Sequence, residues 1–363
     1  RQMCIRDREQ IVEKFGADAS RIAMADAGDS VEDANFDESN ANAAILRLTT
    51  LKDWCEDELK KQNELRTGEY DSFFDEAFEN EMNELIEKSY YQYTLSNYKQ
   101  ALKFGLFDFQ IARDFYRESV NSASIGMHKD LVLKYIEYQA LLLAPIAPHF
   151  AEYLYKEVLS KEGSVQNAQF PKPSKPVSKS VSESLEYVRH VARAIREAEG
   201  SGLRKKKGKA DLETGDSVKL TILVSNTFPD WQENYIEFVR ELFETQKLSD
   251  NNLIKEKVGK DMKRAMPFIN QLKIRLNTED PKIVFNRKLN FNEVDTLKKV
   301  VNLIKNSPYS IKVKELQVIA FDNGSDKGQD VLTGENVDIE IKGKVKDAAV
   351  PGFPGISLKK VEA

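Results

Sequence analysis

The chain has 363 residues, 31% of them charged, which is long enough to bury a sizeable core in two or three domains and too polar for a membrane protein. Its two cysteines, Cys4 and Cys55, exclude a disulfide framework and a four-cysteine metal site and fit a reducing compartment. The longest apolar run, Leu141–Phe150, is broken by two prolines, so no segment reads as a bilayer span and no membrane partner is expected.

The net charge of −5 hides a polarity: residues 1–170 carry 19 basic and 31 acidic side chains, residues 171–363 carry 35 and 28. An acidic body followed by a basic tail suits a polyanion gripped by the second half, or two domains of unlike composition.

Residues 1–8 (RQMCIRDR) carry three arginines and neither a helical period nor a cap. They stand apart as non-matching, foreign-looking sequence. From Glu9 the pattern is orderly. Asp18 is expected to cap a short helix, Ala19 to Ala27, that Gly28 ends. Phe36 and Asp37 open the next helix as staple and cap, with Ala41, Ala44, Ile45, Leu48 and Cys55 on its inner face. On that face Cys55 reads as a buried structural thiol. A helix over about 72–93 buries Phe74, Ala77, Phe78, Leu85 and Ile86. Another over about 97–118 is expected to bury Ala101, Leu102, Phe104, Phe109, Ala112 and Phe115. Tyr90, Tyr91, Tyr93 and Tyr98 fall round two helices and read as half-buried bundle tyrosines, with base stacking beside Lys88, Lys99 and Lys103 as the alternative.

Leu131 to Leu159 is too apolar for a surface helix and reads as a buried helix pair. Pro145 and Pro148 break it, because proline lacks the amide donor and clashes one turn back. Phe170 to Pro176 (FPKPSKP) reads as a stiff linker, and Val181 to Glu199 as an amphipathic helix. The run Arg204, Lys205, Lys206, Lys207 and Lys209, bracketed by glycines, has the composition of a phosphate-contacting loop, as do Lys263 and Arg264. A solvated loop or a localisation signal has the same composition. In the last domain Val218–Ser225, Lys282–Phe291, Ile311–Phe321 and Val337–Ile341 are expected strands. Helices are expected over Trp231–Thr245, Leu253–Val258, Met262–Leu276 and Asn292–Asn306. The fold class is therefore mainly α: a helical bundle followed by a small α+β domain.

Several stretches resemble one family. Arg21 to Asp29 (RIAMADAGD), continued by Glu32 to Phe36, is similar to the segment that follows the KMSKS loop in eukaryotic cytosolic leucyl-tRNA synthetases, which are class I aminoacyl-tRNA synthetases. Phe78 to Asn83, Ala101 to Lys103, Phe107-Asp108 and Ala112 to Asp114 with Tyr116-Arg117 resemble their anticodon-binding bundle. Leu143 to His149 resembles a bundle motif shared by several class I synthetases, and Val218 to Trp231 with Met266 to Phe268 resembles the C-terminal domain of the archaeal and eukaryotic type.

The resemblance implies a junction over 9–36 and an anticodon-binding bundle over 37–170. After these come a linker, helix and basic loop over 171–217 and a C-terminal tRNA-binding domain over 218–363. It implies ATP-dependent leucylation of tRNA-Leu, with leucine, ATP and Mg bound by the longer enzyme, editing of mischarged tRNA and a cytoplasmic location, and it leaves open whether the protein joins a multi-synthetase assembly. No cofactor or metal is expected on these residues, and none is assigned as catalytic. None of His128, His149 and His190 lies in a HIGH-type sequence, and the KMSKS lysine should fall just before Glu9. By itself the fragment should be inactive as a ligase. The competing readings are the tail of a valyl- or isoleucyl-type synthetase and a non-catalytic helical scaffold.

Overall fold

The computed structural model describes residues 3–28, 36–70, 72–204, 210–278, 280–341 and 343–361. It divides into two compact units, Arg1–Ser182 and Glu183–Ala363.

The first unit is all helical. Helix α1 (Met3–Phe15) runs without interruption from the residues set apart by sequence into the orderly region. It meets α2 (Ala17–Ala27) at Gly16, whose φ of +76° lies in the left-handed region where glycine carries no Cβ penalty. Asp18 does not cap α2. The N-cap is Gly16, and no side-chain bond closes that end. Helix α3 (Glu38–Lys60) opens as expected: the Asp37 carboxylate accepts from the Ser39 amide at 2.8 Å, and Phe36 packs on Phe15 and Ala41. Its buried face is Ala41, Ala44, Leu48, Leu51 and Cys55, while Ile45 turns outward. Ser72 caps α4 (Phe73–Thr94), which buries each of the five apolar residues expected.

The next helix is not uniform. It runs as α5 (Tyr98–Leu102), a π-helical stretch (Lys103–Asp108) and α6 (Phe109–Ser122). The wider turn takes up an extra residue and rotates the remainder of the helix by about 100°. Leu106 and Tyr116 are therefore fully buried where Phe104 and Phe115 were expected. Helix α7 (Lys129–Leu143) ends at the proline elbow. Pro148 then opens α8 (Pro148–Tyr153) at its first position, where a missing amide costs nothing. A π-helical turn, Leu154–Val158, completes this segment.

The second unit begins within α9 (Lys179–Leu203), whose inner face is Leu185, Tyr187, Val188, Val191 and Ile195. Its sheet has the order β4-β3-β2-β1-β5. Strand β1 (Ser217–Ser225) pairs in parallel with β2 (Lys312–Phe321) and antiparallel with β5 (Gly355–Lys360). Strand β3 (Lys327–Asp330) lies antiparallel between β2 and β4 (Asn336–Asp338).

The parallel pair needs a long crossover, and α10 (Asp230–Glu244), α11 (Asn251–Val258), α12 (Met262–Thr278), α13 (Pro281–Asn286), α14 (Glu293–Lys299) and α15 (Val301–Asn306) supply it. A short α16 (Lys344–Ala348) precedes β5. The strand expected over Lys282–Phe291 is not formed. Asp280 caps α13 by accepting from the Lys282 amide at 2.8 Å, Pro281 occupies its first position, and Arg287 in the left-handed region ends it. This cap-plus-proline start outweighs the β-branched content of the segment.

Candidate nucleic-acid interface

In the bundle, the elbow is held from a distance. The Asp18 carboxylate accepts from the Phe150 amide at 2.7 Å and lies 3.0 Å from the His149 ring, while Arg21 donates to it at 2.8 Å. Phe150 is the third residue of α8, so Asp18 caps that helix from α2, across 132 residues of sequence. The residue expected to cap its own helix instead ties the junction segment to the elbow.

A second polar network organises the start of α7. His128 is fully buried. Its Nδ1 accepts from the Asp130 amide at 3.2 Å, so Nε2 carries the proton and donates to the Gly68 carbonyl at 3.1 Å. Its amide donates to the Tyr116 hydroxyl at 2.9 Å. Tyr116 in turn donates to Asp75 at 2.6 Å, and Arg66 closes the chain on Asp75 at 2.6 Å. Every group in this chain is held by another, so these residues serve the bundle rather than a ligand. Cys55 is likewise inert: burial pushes its thiol up to about 12.

The tyrosine expectation needs correcting. Tyr90, Tyr91 and Tyr98 are 56%, 60% and 47% exposed, and only Tyr93 is largely enclosed. Phe170 packs against Tyr90 and Tyr93 with ring centroids 5.5 and 5.8 Å apart. The proline-rich segment beyond it is strapped to α4 rather than free. Glu79 accepts from Lys175 at 2.8 Å and from Ser174 at 3.1 Å, and Asn80 and Ser178 bond at 2.7 Å.

Of the cationic residues singled out by sequence, Arg204 is exposed just beyond the end of α9. Lys205, Lys206, Lys207 and Lys209 lie outside the described residues. Gly200 and Gly202 belong to α9 rather than to a loop. Lys263 and Arg264 are exposed on the first turn of α12, where the Arg264 guanidinium sits 4.4 Å from the Trp231 ring centroid. Arg204 and the Lys263–Arg264 pair therefore stand on different elements. Among the described residues no group of three or more His, Cys, Asp or Glu side chains could hold a metal ion, and no helix is long and apolar enough to cross a membrane.

Comparisons with known proteins match stretches of both the helical bundle and the module whose helices fill the crossover between two parallel strands. Residues 75–214 match the family model described as the anticodon-binding domain of tRNA ligase. Residues 224–289, which cover α10 to α13, match the model described as the leucine–tRNA ligase RagD-binding domain. The chain thus carries the anticodon-binding bundle of a class I tRNA ligase.

Its curated relatives narrow the class. It is 58% identical over 97% of its length to the cytoplasmic leucine–tRNA ligase of Saccharomyces cerevisiae and 40% identical over 97% to that of Neurospora crassa. Over 52% of its length it is 31% identical to the leucine–tRNA ligase of Aeropyrum pernix. The chain belongs to the leucine–tRNA ligase family. It spans about a third of the length of the first two relatives, 32% of each.

Proposed function

We propose that the chain is the tRNA-handling portion of a cytoplasmic leucine–tRNA ligase. In this reading the longer enzyme leucylates tRNA-Leu with ATP and Mg and edits mischarged products at domains outside these residues. The observation that carries it is the match of residues 75–214, which run from within α4 to beyond α9, to the anticodon-binding model, within similarity to leucine enzymes along nearly the whole chain. The same similarity weighs against a valyl- or isoleucyl-type tail and against a scaffold unrelated to ligases.

The bundle lies along the tRNA, and the Asp18 cap transmits the position of the α2 segment to the elbow. Backbone contacts fall to Arg204, Lys205, Lys206, Lys207 and Lys209 and to Lys263 and Arg264. Support for this assignment is charge clustering and, for Arg204, Lys263 and Arg264, exposure. The test is binding of the purified chain to tRNA-Leu and to a tRNA with a short variable arm across a salt titration. Preference for the long-armed tRNA with affinity falling steeply as salt rises is expected. Equal, weak binding to both would remove the reading.

A second role is favoured by the match over 224–289: the helical module on the crossover binds a protein of the RagD type. Membership of a multi-synthetase assembly would be a further use of such a surface.

A further inference from the structure

Helix α10 carries five carboxylates (Asp230, Glu233, Glu237, Glu241 and Glu244) and one cation, Arg240. Its inner face is Tyr235, Ile236, Val239 and Leu242, so the acids at spacings of three and four residues form a stripe on the opposite side. Neighbouring like charges at such spacing disfavour the helix. A structural role for the stripe would call for matching cations, and few are present. Arg287 takes Glu233 at 3.1 Å and Arg240 takes Glu237 at 2.8 Å, while Glu241 and Glu244 have no ion-pair partner among the described residues.

Beside this stripe is an open groove. It is floored by Trp231, Tyr235 and Phe238 and rimmed by Glu237, Glu241, Glu244 and, from the turn before α12, Asp261. Two cations reach the same groove, and both are already engaged: Arg240 with Glu237 and over Phe285, and Lys257 over Phe238 at 5.6 Å. The ring faces of this module accept cations, as Arg264 over Trp231 also demonstrates.

We infer that this groove, between α10 and the turn preceding α12, docks a lysine- and arginine-bearing segment of a partner protein. The carboxylates of Glu241 and Glu244 recognise such a segment, the aromatic floor packs against the methylene stems of its lysines and arginines, and the same carboxylates repel a phosphate backbone. The inference rests on the protein-binding reading of residues 224–289 and assigns that role a surface and a partner chemistry.

The experiment uses the full chain with two probes, a fluorescent oligolysine peptide and purified RagD, each titrated at low and high salt. The groove is neutralised as Glu237→Gln with Glu241→Gln and Glu244→Gln, which keeps side-chain size. The control neutralises an exposed acidic group on the sheet edge and beside it, Glu335→Gln with Asp338→Asn and Glu340→Gln. The expected result is oligolysine affinity lowered about tenfold by the groove variant, unchanged by the control, with Trp231 emission responding only when the groove is intact. Equal weakening by both variants, or none by the groove variant, overturns the groove assignment. RagD bound by the unmodified chain and lost in the groove variant extends the assignment to that partner. RagD that fails to bind while oligolysine still requires the groove defeats the RagD reading and leaves the groove standing. RagD bound equally by the unmodified chain and the groove variant places that partner elsewhere and removes the docking role.

Discussion

Asp18 shows how one residue's sequence signal can be right in kind and wrong in target. It has the residue type of an N-cap, and it caps a helix, but the helix is α8. Replacing it with alanine leaves the Phe150 amide without its acceptor and frees His149 and Arg21, so a loss of about 1 kcal/mol is expected in urea unfolding. An Asp18→Asn variant, which keeps an acceptor oxygen, should recover most of it. No change in either variant would mean that solvent already satisfies the end of α8.

Glu293 makes the second residue-scale prediction. It is buried at the start of α14, and burial raises its carboxyl from 4.5 to about 7, against the opposing pull of the Gly352 amide and the Tyr187 hydroxyl. The folded state thus holds a proton that the unfolded chain has released. The stabilisation is complete below pH 4.5 and is lost as the pH rises through about 7. Glu293→Gln should unfold with less dependence on pH across that window and be the more stable form above it. Parallel stability–pH curves for the two proteins would refute this.

At the scale of elements, the π-helical stretch between α5 and α6 decides which aromatic side chains enter the bundle. Gly105 lies inside it, and a Cβ there would come 2.8 Å from the Ser89 hydroxyl oxygen, too close to be accommodated without movement. Gly105→Ala should cost about 1–3 kcal/mol. Combining it with Ser89→Ala should return part of that loss, and a double-mutant cycle on thermal unfolding measures the coupling; strict additivity would show that the two sites do not meet. The helical spacing of α3, α4 and α7 was legible because each keeps one period and one buried face. The π-helical stretch was not, since an added residue changes the phase without changing the composition. The Lys282–Phe291 segment failed for another reason: its β-rich composition competed with an Asp-Pro start that closes a helix locally. Strands β3 and β5 passed unnoticed because they are short, half-exposed edge or near-edge elements whose pairing comes from β1 and β2.

For the whole molecule, the division of charge takes on meaning once the elements are placed. The second half is basic in total, yet α10 carries a net charge of −4, so the module that matches the RagD-binding model is not a uniform polycation. The cations assigned to tRNA should behave as separate phosphate contacts. Lys263→Ala with Arg264→Ala is expected to weaken tRNA-Leu binding without changing its preference for the long arm. The salt slope should fall by about one unit for each cation removed from a phosphate. An unchanged slope would exclude the pair from the interface.

By itself the sequence determined the elements whose cause is local: caps such as Asp37 and Ser72, the proline elbow, the single-period helices, the first strand, and the motifs that place the chain among leucine–tRNA ligases. Tertiary structure decided what depends on a distant partner. It assigned Asp18 to α8, turned Tyr90, Tyr91 and Tyr98 outward, strapped the proline-rich segment to α4, and left the carboxylates of α10 beside an aromatic groove. Local backbone preference acts over a few residues, whereas these outcomes depend on which surfaces the fold brings together, across separations such as the 132 residues between Asp18 and Phe150.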